Sequence, residues 1–250
     1  MTGELFPELF ARERREVAPG AVLVPDWLSP AQQRELVEAC RAWARPPAGL
    51  RRVRLPGGAE MSVRTVCLGW HWAVVPRCPT CGAARKAAAD CPRHSFPYAY
   101  LRTVADGDGA PVKPFPALLG TLARRAVAEA YGARAPGIPG AADYAPDVAL
   151  VNHYGEGSRM GMHQDIDEVA DAPVVSLSLG DSCLFRLGNP QTRNRPYTDL
   201  ELRSGDLLVF GGPARRAFHG VPRTHPGTAD PALGLTGRLN ITVRRTGLPG

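Results

Sequence analysis

The stretch Arg238-Leu239-Asn240-Ile241-Thr242-Val243-Arg244 alternates polar and apolar residues from end to end. Successive side chains of an extended chain point to opposite faces. Leu239, Ile241 and Val243 therefore share one face, and Arg238, Asn240, Thr242 and Arg244 share the other. The segment is predicted to be a β-strand whose apolar face packs in the protein. Two guanidinium groups on a buried polar face need anions to pair with, and their planar forks match carboxylates. The pattern alone equally allows an exposed edge strand with solvated arginines.

The same texture extends back to Val148. Val148–Tyr154, Val174–Leu179, Cys183–Leu187, Tyr197–Leu202, Leu207–Phe210 and Arg215–Val221 all read as short strands separated by turn residues such as Gly180-Asp181 and Ser204-Gly205-Asp206. Many short, turn-separated strands predict a mainly β sandwich or jelly roll. Asn152 and Tyr154 fall on one face of the first of these strands, where they can join the arginines in gripping a small dicarboxylate. Upstream, Val22–Pro25 reads as a strand. Ser29 caps a helix with Pro30 in its first turn and Gln33 as the third residue. Met61 to Trp72 is β-rich, and Pro116 to Tyr131 is an amphipathic helix ended by Gly132.

The 250 residues suffice for one well-buried core with appended structure, and 27 glycines with 25 prolines favour turns and short strands. Net charge is +6. Residues 61–102 hold six Arg/Lys against one acid, a positive patch suited to nucleic-acid phosphates or simply solvated. No apolar run is long enough for a membrane span, and the start, Met1-Thr2-Gly3-Glu4, lacks a signal-peptide pattern. A cytoplasmic monomer with no membrane partner is expected, with its cysteines outside any disulfide framework.

Two constellations have ligand chemistry. His163-Gln164-Asp165, with His219 further on, offers two imidazoles and one carboxylate, a facial set that leaves coordination positions open and suits non-haem Fe(II). Cys78-x2-Cys81-x9-Cys91-x2-His94 matches a tetrahedral structural Zn(II) site in a small knuckle. The alternatives are a reduced loop with incidental cysteines or an iron–sulfur cluster. Between β-rich segments, Trp70-His71-Trp72 can be core packing or an aromatic platform for a base.

The ordered set Asn152-x-Tyr154, His163-Gln-Asp165-x-Asp167-Glu168, Ser176-Leu-Ser-Leu-Gly180, Gly205-Asp206, Gly211-Gly212, His219-Gly220 and Arg238-x-Asn240-x-Thr242-x-Arg244 resembles the AlkB family of Fe(II)- and 2-oxoglutarate-dependent dioxygenases. The resemblance spans residues 148–246 and extends more loosely through Met61-Ser62-Val63 and Leu68-Gly69-Trp70. It implies a double-stranded β-helix (jelly roll) core over residues 148–250. Residues 1–147 would supply support helices and an α/β nucleotide-recognition lid, with the Cys/His insertion at about 73–97, all in one compact unit. His163, Asp165 and His219 resemble the iron ligands. Arg238, helped by Tyr154, resembles the partner of the distal 2-oxoglutarate carboxylate. Arg244 resembles the arginine near the metal-proximal carboxylate, and Asn152 and Asn240 match further cosubstrate contacts. Asp167 resembles the acid that accepts from the exocyclic amine of a damaged base, and Trp70 the ring that stacks on that base, a role His71 or Trp72 could share.

The implied activity is oxidative demethylation of 1-methyladenine and 3-methylcytosine in alkylated DNA, single-stranded or with the base flipped out. It uses O2 and 2-oxoglutarate and yields formaldehyde, succinate and CO2. The altered lid keeps other readings open: the same chemistry on RNA, a protein side chain or a small metabolite, or a non-catalytic nucleic-acid-binding zinc-knuckle protein.

Overall fold

In the computed structural model, which describes residues 12–55, 58–78, 80–84, 90–91 and 97–249, the chain runs through β1 (Arg15–Ala18), β2 (Ala21–Val24), α1 (Pro30–Trp43), β3 (Arg51–Arg54), β4 (Glu60–Leu68), β5 (His71–Val74), β6 (Tyr98–Leu101) and α2 (Ala117–Tyr131). It continues through β7 (Val148–Tyr154), β8 (Met160–His163), β9 (Val174–Gly180), β10 (Ser182–Leu187), β11 (Thr198–Leu202), β12 (Leu207–Phe210), β13 (His219–His225) and β14 (Arg238–Arg244).

The strands from β7 onward are shared between two antiparallel sheets, alternating except that the consecutive β10 and β11 pair within the smaller one. The larger has the order β1-β2-β12-β9-β14-β7-β4-β3 and the smaller β11-β10-β13-β8. Strands β12, β9, β14 and β7 face β11, β10, β13 and β8, which is a double-stranded β-helix. β1–β4 extend the larger sheet at both edges, so that sheet draws on both sides of residue 147. β5 and β6 form a separate hairpin.

The alternation in 238–244 explains the layering. Leu239, Ile241 and Val243 pack with Val175, Leu177 and Val209 under the helices, in one core with Leu36, Val37 and Leu119. Burying each such leucine contributes about 1.5–3 kcal/mol. The opposite face of the larger sheet looks into the space between the sheets. There Leu23, Phe210, Leu208 and Tyr154 pack with Leu187, Leu200 and Leu202 at one end. At the other end the polar members of β14 and β7 line a cavity.

The helix signals operate with one shift. Ser29 accepts from the Gln32 backbone N–H while the Gln32 side chain accepts from the Ser29 N–H, a capping box. With Ser29 at the cap and Pro30 first, the third residue is Gln32, not the expected Gln33. Gln33 instead donates to the Leu28 carbonyl and accepts from Ser204. Gly132 ends α2 at φ +50°, a conformation open to glycine. The expected strand over Arg215–Val221 begins only at His219. Its first residues form a turn because Arg215 is drawn inward, donating to the carbonyls of Ala172 and Asp165. Among the described residues no helix is long and apolar enough to cross a membrane.

Candidate active site

Strand pairing sets the first three groups. β13 and β8 are neighbours in the smaller sheet with His219 directly opposite His163, and Asp165 follows two residues beyond the end of β8. One ligand atom from each of His163, Asp165 and His219 lies within 4.8 Å of the others. Asp165 Oδ2 is 3.6 Å from His219 Nε2, and Oδ1 is 3.8 Å from His163 Nε2.

The imidazoles are oriented by backbone carbonyls. His163 Nδ1 lies 3.0 Å from the Gly161 oxygen and His219 Nδ1 lies 3.0 Å from the Ala217 oxygen. A carbonyl only accepts, so each Nδ1 carries the proton and each Nε2 presents a lone pair. This is the arrangement of metal-binding histidines. Burial, then the neighbouring His163, lowers the His219 pKa to about 4, which keeps it neutral. Burial alone would raise the Asp165 pKa, but Arg244 and then the two histidines hold it well below the usual carboxylate range. Asp165 Oδ2 is buried with no hydrogen-bond partner. An orphaned carboxylate oxygen beside two imidazole lone pairs fits a divalent cation, and this ligand set suits Fe(II).

The floor of the cavity is the polar face of β14 and β7. Asn240 pairs with Asn152 and Arg238 with Tyr154 in the register of the two strands. Asn152 donates to Asn240 at 3.3 Å, Asn240 donates to Ser176 at 2.8 Å, and Thr65 donates to Asn152 at 2.8 Å. Arg238 is only 1% exposed. It donates to Ser178 Oγ at 2.9 Å, and its Nε has no partner. No carboxylate among the described residues forms an ion pair with it. A buried cation lacking a counter-charge costs several kcal/mol, so the site fits an incoming carboxylate such as one end of 2-oxoglutarate. Arg244 differs, bridging Asp165 at 2.8 Å and Glu168 at 2.9 Å.

The cavity is about 830 Å3 and brings together His163, Asp165, His219, Asn152, Tyr154, Arg238, Asn240, Arg244 and Asp167. Trp70 is not among them. It packs with Cys67, Tyr100 and Leu150, donates to Asp147 at 3.2 Å and has the Arg102 guanidinium 3.4 Å from its ring centroid. The ring over the cavity is Trp72, which donates to Asp167 at 2.8 Å and stacks on Tyr98 with centroids 4.2 Å apart. Burial pushes the Asp167 carboxyl up to about 6, opposed by the Trp72 N–H.

Sequence reasoning also left Glu168, Arg215 and Tyr100 without roles, although all three are buried in a network beside the metal-ligand set. The acidic run Asp165-x-Asp167-Glu168 and the pair Arg215-Arg216 were the available signals.

β5 and β6 pair with His71 opposite Leu101 and Val74 opposite Tyr98, which makes the Cys-bearing segment the connection of a hairpin. A tight turn, with Gly82 N–H donating to the Cys78 carbonyl and Cys78 N–H to Ala83, brings Cys78 and Cys81 together. Cys78, Cys81 and Cys91 offer thiols within 4.8 Å of one another. The backbone N–H of Cys81, ahead of the neighbouring thiols, lowers the Cys78 pKa to about 6, favouring the thiolate that binds metal. His94, the expected fourth ligand, lies outside the described residues, as do Arg85, Lys86 and Arg93. About one zinc per chain is expected by metal analysis, and Cys78→Ala should release it. Wild-type protein purified without chelators that contains no zinc would contradict this.

A family model described as "2OG-Fe(II) oxygenase superfamily" matches residues 20–244. An Alpha-ketoglutarate-dependent dioxygenase AlkB of Salmonella typhimurium is 31% identical over 250 residues, covering 95% of this chain and 97% of that protein. DNA N(6)-methyladenine demethylase ALKBH1D of Arabidopsis thaliana is 30% identical over 250 residues, covering 94% of this chain and 51% of that protein. An AlkB homolog of Caulobacter vibrioides is 50% identical over 101 residues, covering 40% of this chain and 45% of that protein. These last two matches each span about half the length of the relative. The solved structure of OsALKBH1 superposes with a TM-score of 0.72 at 28% identity, covering 93% of this chain and all of that one.

Proposed function

The chain belongs to the 2OG-Fe(II) oxygenase superfamily and, within it, to the AlkB family, and from that premise we propose that it oxidatively demethylates N-alkylated bases in nucleic acid, with 1-methyladenine and 3-methylcytosine in DNA as its substrates. The observation that carries the choice of substrate is the Asp167 carboxylate, set in the same cavity as the metal triad and beside the stacked rings of Trp72 and Tyr98.

Both substrate bases are cations. A carboxylate whose proton affinity is raised by burial gains from a positive ring beside it, because the attraction is screened less than in water. Trp72 supplies the flat surface on which a flipped base would stack. Arg159 and Arg193 line the same cavity and would meet the flanking phosphates.

His163, Asp165 and His219 would hold the iron. Arg238 would take the distal carboxylate of 2-oxoglutarate, with Tyr154 beside it and Asn152 and Asn240 along its length. Bound together, iron and 2-oxoglutarate supply the oxidation: O2 is consumed as 2-oxoglutarate becomes succinate and CO2, and the hydroxylated methyl group leaves as formaldehyde. The chain's own part is positional. Arg244 keeps one Asp165 oxygen occupied and leaves Oδ2 for the metal. Trp72 and Asp167 would hold the base with its methylated edge toward the triad, and the β5–β6 hairpin brings Trp72 and Tyr98 to the cavity wall.

Relatives that are DNA N(6)-methyladenine demethylases of Arabidopsis thaliana and the tRNA demethylase abh1 of Schizosaccharomyces pombe define the competing substrates. The test measures formaldehyde release by the Fe(II)-loaded chain from oligonucleotides carrying 1-methyladenine, 3-methylcytosine or N6-methyladenine, in DNA and in RNA. The largest kcat/KM is expected on the cationic bases in DNA. Asp167→Asn should lower it by about 10- to 100-fold there, as loss of a charged hydrogen bond does, while substrate-free succinate formation persists. A preference for N6-methyladenine or for RNA, or equal loss of both reactions in Asp167→Asn, would overturn this assignment.

A further inference from the structure

Glu168 does not line the cavity, yet its side chain is fully buried against three polar groups. Its Oε1 accepts from Arg244 Nη1 at 2.9 Å and from the Tyr100 hydroxyl, and its Oε2 accepts from Arg215 Nη2 at 2.9 Å. Arg244 continues to Asp165 Oδ1 at 2.8 Å, and Arg215 to the Asp165 carbonyl at 2.7 Å. Two cations and two anions thus form a neutral buried cluster in which every member is held by charge-assisted bonds. In low dielectric such a network resists displacement of any single member. Its effect on the metal-ligand set is specific: Arg244 occupies Oδ1, so only Oδ2 is left free.

The cluster also reaches the β5–β6 hairpin. Tyr100 lies on β6 directly opposite Trp72 on β5. These cross-strand neighbours hold two consecutive acids, Trp72 donating to Asp167 and Tyr100 to Glu168. The hairpin is therefore fixed to the metal-ligand loop at two adjacent points. One faces the cavity at Asp167, where a base bound as proposed above would compete for the carboxylate. The other is buried and leads through Arg244 to Asp165.

We infer that Glu168 is a positioning residue that transmits the seating of the β5–β6 hairpin to the metal-binding carboxylate, through Tyr100 on one side and Arg244 on the other. The inference rests on the metal-triad and base-pocket reading above. A base entering under the hairpin then alters the environment of Asp165 without touching it, tying readiness at the metal to occupancy of the pocket.

The test uses the full chain loaded with Co(II) in place of iron, whose visible absorption bands report its coordination. After 2-oxoglutarate is bound, a single-stranded oligodeoxynucleotide carrying one 1-methyladenine is added. Wild-type protein is expected to show a shift of the bands on this addition. Tyr100→Phe keeps the packed ring and removes only the donor. It should lose most of that shift while its affinity for the oligonucleotide, read by fluorescence anisotropy, stays near that of wild type. Glu168→Gln leaves the cluster with an uncompensated positive charge and should weaken Co(II) binding by about 10- to 100-fold, the range for loss of an outer partner of a metal ligand. If Glu168→Gln does not fold, Tyr100→Phe decides alone.

A merely structural hydroxyl would lower the Tm of Tyr100→Phe and leave the shift intact, which overturns the inference, as does a wild-type protein that binds the oligonucleotide with no shift. Failure of the underlying reading looks different. Wild type would then bind Co(II) no better than His163→Ala, or would not bind the oligonucleotide at all, and this inference would fall with it.

Discussion

Arg238→Met is expected to raise the 2-oxoglutarate concentration needed for half-maximal turnover by roughly 30-fold or more, without destabilising the protein. The guanidinium is buried without an anionic partner among the described residues, and its Nε is unbonded. Truncating one side of a buried charged pair costs about 2–5 kcal/mol of binding, or roughly 30- to several-thousand-fold. In the absence of cosubstrate the sign reverses. An uncompensated buried charge is itself costly, and an apolar residue of similar volume is often neutral or stabilising there. Thermal unfolding of wild type and variant, each with and without 2-oxoglutarate, checks both halves. Wild type should gain Tm from 2-oxoglutarate and the variant should not, while the two ligand-free proteins unfold at similar temperatures. A variant that still gains Tm from the cosubstrate would remove Arg238 from its binding site.

His163→Ala is expected to abolish demethylation and specific Fe(II) or Co(II) binding together. The loss should exceed the roughly 10- to 100-fold that follows removal of an outer partner of a ligand, because a facial set of three is reduced to two. His163 is half-exposed at the end of β8, so its loss should leave the fold intact. Metal titration of the folded variant separates this outcome from misfolding. Retained stoichiometric metal binding would show that the triad is not the binding site.

What the sequence made legible follows from periodicity. The strand alternation in 238–244 places Arg238, Asn240 and Arg244 on one face, and the alternation of the paired β7 does the same for Asn152 and Tyr154. The H-x-D pair and distant His219 were readable because ligand chemistry restricts residue type. Trp70 and Trp72 were not separable. Gly69, at φ +84° and too close to the Asp147 carbonyl for any Cβ, breaks the strand between β4 and β5. The alternation of β4 therefore does not carry into the hairpin, and Trp70 turns into a side core while Trp72 reaches the cavity. Glu168 was silent for another reason. Its partners are 47 and 76 residues downstream and 68 upstream, and nothing local marks a carboxylate as buried among two arginines and a phenol.

The central claim is that one cavity joins metal, 2-oxoglutarate and a methylated base. Its most direct test is the yield of succinate and formaldehyde from the Fe(II)-loaded chain given 2-oxoglutarate, air and a single-stranded oligodeoxynucleotide containing 1-methyladenine. The expected result is formaldehyde in nearly equal amount to succinate, with both lost when Fe(II) or 2-oxoglutarate is omitted. Succinate without formaldehyde from any methylated nucleic acid, or neither product from the metal-loaded protein, would contradict it.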